Sequence, residues 1–427
     1  MKNKYTVAIP VETSVREFLP KLRLSTFLAD KGFDIIFGSY DEVYHLVLKN
    51  KFSVVFMNNC DNKTIHNNIL NNQINKDSLF IVLENEGFVS PNSDLIINRL
   101  HPPFLKKINF YFAWGKKTYD KLLEKKLLNK DQILITGHPM FEESKINLYK
   151  AELDTSRYND FILINTNFGL INEAVKGQYS HIYNKERVKH EKFLLKSFIE
   201  LTKKLSLTFD NLNFIVRPHP SESDFIYERE FNDYKNIKVI HEGRVIDWIH
   251  NAKFVIHNSC TTALEAKLHG VPIISYMPIK NKNFDINMSN NLGYICSNSN
   301  DVIDIIKNKK NEKKINFIST LENFNSSFYN KIDDLFNVIK LSNSDFNKIN
   351  YSIWFLIKKF IHLFFPLILL DKKRKLDYKY RRRKFFFLYS EYLKKSIKKI
   401  NGNNSNFKIK RISLFPRTFL ISKNEKK

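Results

Sequence analysis

The stretch FVIHNSCTTALEAKLHGVPIISY, which runs from Phe254 to Tyr276, decides the fold. An apolar run, Phe254–His257, leads into small hydroxyl residues, and a helical pattern then covers Ser259–His269. Gly270 and Pro272 end that helix in the order expected at a helix C-terminus. A second apolar run follows at once. Strand, helix and strand in this order predict part of a parallel sheet with helices on its faces.

The same alternation extends from this unit in both directions. Long helices are predicted over Ser14–Asp30 and His190–Leu205. The predicted strands are Tyr5–Ile9, Phe33–Phe37, Ser53–Met57, Leu79–Leu83, Phe110–Ala113, Ile133–Thr136, Phe161–Asn165, Asn213–Val216, Ile237–Ile240, Phe254–His257 and Pro272–Tyr276. We therefore predict an α/β fold of two Rossmann-like domains that face each other across a cleft. Residues 1–141 and 160–340 form the domains, and the polar, aperiodic residues 142–159 form the linker.

Composition limits the class of protein. The chain has 427 residues, of which 43% are hydrophobic, and this is enough for two ordinary domains and a tail. Its three cysteines, Cys60, Cys260 and Cys296, are scattered, which argues against a disulfide framework or structural zinc and fits a reducing cytoplasm. The first apolar run is too short for a signal peptide. No Asp-x-Asp motif stands at a metal-binding position, so we expect no metal and no cofactor.

Most of the positive charge lies in the last part of the chain. The formal net charge is +25, and residues 346–427 hold 23 Lys and Arg against four Asp and Glu. The apolar run Ile353–Leu370 is interrupted by lysines and a proline, which makes it a poor transmembrane span but a suitable interfacial segment. The basic clusters Lys372–Lys375 and Arg381–Lys384 follow. We predict that residues 341–427 form a basic, partly helical tail that holds a cytoplasmic protein on the anionic inner face of the cytoplasmic membrane.

The basic clusters of the tail allow two other interpretations. Lys/Arg clusters also bind nucleic-acid phosphates, and many such clusters are only solvated charge. Aromatic and aliphatic residues alternate with the clusters, and this favours lipid. We therefore predict no nucleic-acid partner.

A strand that ends in Arg217-Pro218-His219-Pro220 carries the sharpest chemical signal. Ligands of open α/β sheets bind beyond the carboxyl ends of the strands. The prolines restrict the backbone, and a cation beside an imidazole suits a phosphate or diphosphate leaving group. We assign Arg217, His219 and Pro220 to the donor site. An ordinary strand-end turn with a surface arginine is the alternative.

The second signal is the start of the helix in the stretch quoted first. A helix N-terminus attracts anions, and hydroxyl groups there add donors. Glu265, one turn further on, is placed to accept hydrogen bonds from ribose hydroxyls. The candidate nucleotide-binding residues are His257, Asn258, Ser259, Thr261, Thr262 and Glu265. The alternatives are a plain N-cap at Ser259 or Thr261 and a capping box formed by Thr262 and Glu265.

The acidic segment Leu83-Glu84-Asn85-Glu86-Gly87 follows a strand of the first domain. A carboxylate there would lie across the cleft from the nucleotide, where the general base of an inverting sugar transfer belongs. Glu86 or Glu84 is the predicted base, and a solvated acidic loop is the alternative. Glu12, Arg16 and Asn167 are weaker candidates for contacting the acceptor or the sugar. His101 and His138 are interpreted as turn residues.

These motifs resemble those of a known family. The segment His241–Tyr276, the Arg-Pro-His-Pro turn and ILINTNFGLINE at 162–173 resemble the bacterial surface carbohydrate biosynthesis proteins, which are related to GT-B glycosyltransferases of capsule, O-antigen and lipopolysaccharide synthesis. The resemblance covers residues from about 5 to 300 and not the basic tail. It implies a GT-B fold.

A more distant similarity extends to bacterial sialyl-, polysialyl- and Kdo transferases, which use CMP-activated sugars. It implies that His219 and Pro220 contact CMP and its phosphate, with Ser259, Thr261 and Thr262 near the same phosphate. It also implies that the acidic segment supplies the base, although Asn85 stands where that family has an acid.

Together these observations predict an inverting, metal-independent glycosyltransferase. It would move a sugar from a nucleotide-activated donor, a CMP-sugar, to a surface polysaccharide or a lipid-linked acceptor. A sugar-nucleotide epimerase or a polyol-phosphate transferase of the same fold is the alternative, because a fold alone does not decide function.

Overall fold

The computed structural model describes most of the two domains and parts of the C-terminal region. The described residues are 5–61, 63–85, 100–145, 153–158, 160–174, 184–308, 328–344, 357, 390–402, 406–412 and 418–424. The proposed base Glu86, both basic clusters and, apart from Ile357, the apolar run 353–370 lie outside the described residues.

The first half of the chain alternates strands and helices. Its elements are β1 (Thr6–Val11), α1 (Ser14–Asp30), β2 (Asp34–Ser39), α2 (Tyr40–Val47), β3 (Val54–Met57), α3 (Thr64–Leu70), β4 (Leu79–Leu83), α4 (Pro102–Leu105), β5 (Phe110–Ala113), α5 (Lys116–Glu124), β6 (Ile133–Ile135) and α6 (Pro139–Lys145).

The second half repeats the alternation, and three further elements follow. They are β7 (Phe161–Asn165), α7 (Lys185–Thr208), β8 (Asn213–Arg217), α8 (Phe225–Phe231), β9 (Ile237–Val239), α9 (Val245–Ile249), β10 (Phe254–His257), α10 (Thr262–Leu268), β11 (Ile273–Tyr276), α11 (Asn287–Asn290), β12 (Tyr294–Cys296), α12 (Ser299–Asn308), α13 (Phe328–Val338), α14 (Ser390–Asn401), β13 (Phe407–Arg411) and β14 (Thr418–Lys423).

Each half forms one parallel sheet. The first has the order β2-β1-β3-β4-β5-β6 with β14 and β13 added antiparallel beyond β2, and the second has the order β12-β11-β10-β7-β8-β9. Both faces of the strands are apolar because helices cover both sides, as in β1, where Val7 and Ile9 face one core and Ala8 faces the other. The predicted α/β fold with two Rossmann-like domains is confirmed, and each predicted strand is present with ends within two residues.

The C-terminal region divides differently from the predicted tail. Strand β14 pairs with β2, which places Phe419 opposite Phe37 and Ile421 opposite Ile35, and both tail side chains are fully buried. The alternating apolar residues of β14 cover an edge that β2 would otherwise expose. The described residues from 390 onward therefore complete the first domain.

Helix α13 also differs from its predicted place within residues 160–340. Its residues Phe328 and Ile332 are buried in the core of the first domain. The Phe328 backbone N–H donates to Glu142 Oε1 at 3.0 Å, which ties α13 to α6. The chain thus returns to the first domain well before residue 341.

The two domains meet at α6. This helix packs against α1 of the first domain and α10 of the second. Phe141 of α6 and Trp114, which follows β5, share one apolar core with Trp248 and Leu264 of the second domain. Within the described part of the chain, no helix combines the length and the apolar character needed to cross a membrane.

Candidate functional site

The order of the second sheet creates a crevice between β7 and β10. The chain proceeds from β7 to β8 and β9 on one side and then returns to β10 on the other. Ligands of open parallel sheets bind at such a reversal point. Asn165, the last residue of β7, bridges the crevice by donating from Nδ2 to Thr262 Oγ1 at 3.0 Å. Its buried Oδ1 has no partner among the described residues.

His219 lies exposed on the turn after β8, beside this crevice. Its Nδ1 accepts a hydrogen bond from the Ser221 backbone N–H at 3.2 Å and lies 2.7 Å from Ser221 Oγ. Because Nδ1 is an acceptor, Nε2 carries the proton of the neutral ring. His219, which the sequence assigns to the sugar-donor site, therefore presents its Nε2–H as a hydrogen-bond donor at the carboxyl edge of the sheet.

A buried carboxylate, not identified from the sequence, holds the His219 turn. Glu222 Oε1 accepts from the His219 backbone N–H at 2.9 Å and from Thr166 Oγ1 at 2.9 Å. Its Oε2 accepts from the Tyr227 hydroxyl at 2.6 Å. Burial raises the pKa of Glu222, against the effect of these hydrogen bonds. Nothing in the spacing of Thr166, Glu222 and Tyr227 indicates this network, because the three residues come from different elements.

Arg217 makes hydrogen bonds within the second domain. Its Nη1 donates to the Glu242 carbonyl at 2.8 Å and its Nη2 to the Gly243 carbonyl at 2.6 Å. These bonds fix the loop that precedes α9. The next residue, Arg244, is buried and lies 3.6 Å from Asp247. Arg217 therefore holds the loop that leads to Arg244 as well as adding its own charge. Pro220 stands in the same turn as His219 and is partly buried.

His257 and Asn258 face the interior of the second domain. The His257 ring is fully buried, with Nδ1 accepting from the Cys260 N–H at 3.4 Å and Nε2 lying 3.1 Å from Ser275 Oγ. Burial lowers the pKa of His257 to about 3, so the ring is neutral at physiological pH. Asn258 Nδ2 donates to the Tyr276 carbonyl at 2.9 Å. The side chains of His257 and Asn258, both predicted to contact the nucleotide, thus bond to neighbouring residues of the second sheet.

Ser259 has a left-handed backbone, with φ of 51°, and it anchors the loop after β11. Its N–H donates to Asn290 Oδ1 at 2.7 Å, and its Oγ accepts from the Ile286 N–H at 3.0 Å and from Asn290 Nδ2 at 3.1 Å. Strain of this kind in a residue other than glycine is concentrated at functional sites.

Thr261 and Thr262 lie at the start of α10. Thr262 Oγ1 donates to Cys260 Sγ at 3.0 Å as well as accepting from Asn165. Thr261 is partly buried and caps the helix without a side-chain hydrogen bond. Since α10 has only seven residues, the hydroxyl groups matter more here than the helix dipole.

Glu265 on α10 is surrounded by positive charge from both domains. Burial raises its pKa to about 7, while the charges of Arg16, Arg244 and Arg217 act in the opposite direction. Arg16 belongs to α1 of the first domain, so the carboxyl edges of the two sheets face each other at this point. Arg16, which the sequence indicated as a weaker candidate for contacting the acceptor or the sugar, thus lies near the predicted nucleotide site.

The corresponding crevice of the first sheet lies between β1 and β3. It is filled by Lys21, whose Nζ donates to the Pro10 carbonyl at 2.7 Å, to Glu17 Oε2 at 2.9 Å and to Asn58 Oδ1 at 2.6 Å. Glu17 also accepts from the backbone N–H of Glu12 at 3.0 Å. Although burial acts to raise it, the pKa of Glu17 is lowered to about 2 by Lys21, by Arg16 and by hydrogen bonds.

The other predicted site residues lie at the carboxyl edge of the first sheet or at that of the second sheet, which are called the first edge and the second edge. Glu84 is buried after β4, and its carbonyl accepts from Trp114 Nε1 at 2.6 Å. Glu12 is partly buried after β1. Asn167 is exposed after β7, on the second edge. Glu84 and Glu12 thus belong to the first edge.

His138, interpreted from the sequence as a turn residue, belongs to the first edge as well. It is buried with its ring centroid 5.1 Å from that of Trp114, and its Nδ1 accepts from the Met140 N–H at 3.3 Å. Burial, with a further effect of Lys21, lowers its pKa to about 3. A lone histidine between glycine and proline gives no sequence signal for such a position.

Comparisons with known proteins give structural neighbours only. No protein-family model matches the chain, and no curated protein sequence matches it. The UDP-GlcNAc 2-epimerase of Methanocaldococcus jannaschii, in complex with UDP-GlcNAc and UDP, is 16% identical with a TM-score of 0.49, covering 78% of this chain and 99% of its own. The S. aureus MnaA–UDP structure is 13% identical at 0.49, with 81% and 100% covered. The wall teichoic acid polymerase TagF is 11% identical at 0.46, with 79% and 89% covered.

Proposed function

We propose that this protein is a glycosyltransferase that binds a nucleotide-activated sugar at the carboxyl edge of the second sheet. The observation that carries the proposal is His219, an exposed imidazole whose Nε2–H is fixed as a donor by Ser221 and Glu222. Transfer of a sugar leaves a nucleotide phosphate with developing negative charge, which such a donor stabilises.

The arginines around Glu265 support the same assignment. Arg16 and Arg244 pair with Glu17 and Asp247, whereas Arg217 donates to two backbone carbonyls, so its charge is the one that attracts an anion to the region between the two edges. Thr261 and Thr262 add hydroxyl groups at the β7/β10 crevice. No metal ion is needed in this proposal because the guanidinium groups and His219 neutralise the leaving group.

The first domain would supply the acceptor and the general base. Glu86 is the proposed base and Glu84 its alternative. The buried setting of Glu84, whose backbone is held by Trp114, suits a fixed group more than a mobile one. With the base on one edge and the phosphate site on the other, attack and departure take place on opposite faces of the sugar, which inverts the anomeric centre.

We further propose that the donor is a CMP-sugar and that the acceptor is a surface polysaccharide or a lipid-linked precursor at the cytoplasmic face of the membrane. The basic clusters 372–375 and 381–384 would hold the protein there. Deleting residues 341–427 is not a clean test, because this removes Phe419 and Ile421 from the core. Replacing Lys372, Lys373, Arg374 and Lys375 with glutamine tests the anchor by fractionation at low salt.

The nucleotide site is tested by thermal unfolding of the full chain with CMP, UDP, GDP and CDP-glycerol. A ligand that binds only the folded state raises the melting temperature. We expect CMP to stabilise the wild type and His219→Ala to lose most of this shift without unfolding. His250→Ala is the matched control, since His250 is an exposed histidine in the loop that leads into β10, at the opposite edge.

Each outcome has a defined meaning. Stabilisation by UDP and not by CMP would replace the CMP-sugar with a UDP-sugar and would favour the epimerase. Stabilisation by CDP-glycerol alone would favour a polyol-phosphate transferase. An unchanged nucleotide shift in His219→Ala would refute the proposed site.

A further inference from the structure

The carboxyl edge of the first sheet holds buried polar groups whose hydrogen-bonding capacity is unused within the described part of the chain. Among them are Nδ2 of Asn58, both side-chain polar atoms of Asn85, and Nε2 of His138. These side chains belong to residues that are 2%, 7% and 3% exposed. A buried polar group without a partner destabilises a protein, so native structures keep few of them.

The three residues belong to one cluster. The Asn85 backbone N–H donates to the Asn58 carbonyl at 3.3 Å. Trp114 donates to the carbonyl of Glu84, the neighbour of Asn85, and its ring lies 5.1 Å from that of His138. Since these residues follow β3, β4, β5 and β6, they line the same edge of the sheet.

The cluster offers neutral donors and acceptors, and the buried carboxyl group of Glu84 lies beside Asn85. Lys21, which contacts Asn58, is paired with Glu17 at 2.9 Å. His138 is neutral at physiological pH because its pKa is lowered to about 3. Since its Nδ1 accepts from Met140, Nε2–H is the unused donor. The two amides add further donors and one acceptor.

This mixture distinguishes between classes of ligand. A phosphate only accepts hydrogen bonds and is bound by cations and N–H groups. A sugar hydroxyl both donates and accepts, so an amide that presents its oxygen and its nitrogen matches it. The unused Oδ1 of Asn85 would repel a phosphate oxygen but would accept from a hydroxyl.

We propose that Asn58, Asn85 and His138 form a subsite for an uncharged, hydroxyl-rich ligand such as a pyranose ring, with Asn85 as a specificity-determining residue. The subsite rests on the proposed function, in which one substrate is a sugar. It is separate from the phosphate site at His219 and adds Asn58 and His138, which the sequence did not assign to a site.

The first test asks whether these groups serve binding or folding, and it needs no ligand. Asn85→Leu removes an amide that has no partner among the described residues, so the melting temperature of the full chain should stay at or above that of the wild type. Asn75→Leu is the matched control. Asn75 is equally buried in the same domain, but its amide bonds to Phe52 N–H at 2.8 Å and to the Asn50 carbonyl at 3.0 Å.

We expect Asn75→Leu to melt at least about 4 °C below the wild type, because its partners are left unpaired. If Asn85→Leu loses as much as Asn75→Leu, or does not fold, the Asn85 amide serves the fold and the proposal is refuted.

The second test uses three uncharged probes, N-acetyl-D-glucosamine, D-galactose and glycerol, at millimolar concentration. All polyols stabilise proteins slightly by exclusion from the surface, so the quantity of interest is the shift of the wild type minus that of Asn85→Leu. At least one probe should stabilise the wild type more. Equal shifts for all three probes would overturn the proposal.

The two proposals fail independently. CMP stabilisation reports on the nucleotide site around His219 and Glu265, which Asn85 does not belong to, and it should be the same in the wild type and Asn85→Leu. Absence of a shift with all four nucleotides in the wild type would refute the nucleotide site, whereas the sugar probes and the melting temperatures decide the subsite.

Discussion

The two sheets have crevices of the same topological kind, but polar groups fill them differently. Between β1 and β3 the protein buries an ion pair, Glu17–Lys21, and compensates it internally. Between β7 and β10 it places the neutral Asn165–Thr262 hydrogen bond and leaves His219 exposed nearby. The Glu17–Lys21 ion pair therefore stabilises the first edge, and no ligand is needed to neutralise its charges. The second edge carries Arg217, whose guanidinium donates to backbone carbonyls, and a positive charge in that position suits an anionic ligand.

The largest effect is expected from breaking the buried ion pair. Lys21→Met leaves Glu17 buried without its main cation, and removing one partner of a buried pair typically costs about 3–5 kcal/mol. Denaturant unfolding of the full chain measures this loss. Lys116→Met is the control, because Lys116 and Asp120 form an exposed pair at 2.8 Å, and its effect should stay below about 0.5 kcal/mol. Equal effects of the two substitutions would show that the first crevice does not depend on its charges.

The acid dependence of stability should sharpen the same contrast. The pKa of Glu17 is lowered from 4.5 to about 2, so its contribution is complete above pH 4.5 and is lost as the pH falls toward 2. The shift corresponds to about 3 kcal/mol. Denaturant unfolding between pH 5 and 2.5 should show this loss in the wild type and a clearly smaller one in Glu17→Gln. Parallel curves for the two proteins would exclude Glu17 as the titrating group.

The strands that form both sheets could be predicted from the sequence, but the long-range contacts of these strands could not. Apolar runs bounded by glycine and proline identify a strand in both halves, because burial on both faces requires continuous hydrophobic residues. β14 was not predicted, since its partner β2 lies almost 400 residues away and basic residues surround it. Long-range pairing of this kind leaves no local pattern.

In the candidate site, too, local motifs could be predicted from the sequence and contacts between distant residues could not. The turn with His219 and the hydroxyl residues after β10 are contiguous motifs, and the sequence indicated them. Glu222 and His138 contact residues that are distant in the sequence or belong to other elements, so their spacing carries no signal. His257 was assigned to the ligand because it stands inside a motif, whereas its ring is fully buried against Ser275.

A smaller effect is expected at the second edge from Glu222→Gln. The carboxylate accepts from Thr166, His219 and Tyr227, and an amide replaces one acceptor with a donor. We expect a loss of about 1–2 kcal/mol in stability and a weaker CMP shift, because the His219 turn is no longer fixed. Asn172 gives the comparison, since its Nδ2 donates to the Ser223 carbonyl beside the same turn at 2.8 Å. If Glu222→Gln keeps the full CMP shift, His219 does not need this support.

The smallest effect concerns the pH dependence of nucleotide binding through Glu265. Burial raises its pKa to about 7, so the group is protonated below that pH and becomes a carboxylate above it. This carboxylate repels a nearby phosphate, and its raised pKa means that its contribution to stability, complete below pH 4.5, is lost as the pH rises through 7. CMP binding by the wild type should therefore weaken about 3–10-fold between pH 6 and 8, the scale of one partly screened charge.

The phosphate of CMP also ionises near pH 6, but this change is common to every variant. Glu265→Gln removes the titrating group and should bind CMP at pH 8 as the wild type does at pH 6, after correction for the ligand. Glu200→Gln, an exposed glutamate on α7, should follow the wild type at both pH values. Because Arg16 contributes to the field at Glu265, Arg16→Gln should shift the midpoint of the wild-type profile upward. A midpoint that does not move in Arg16→Gln would mean that the first domain does not reach the nucleotide site, and the two edges would then act separately.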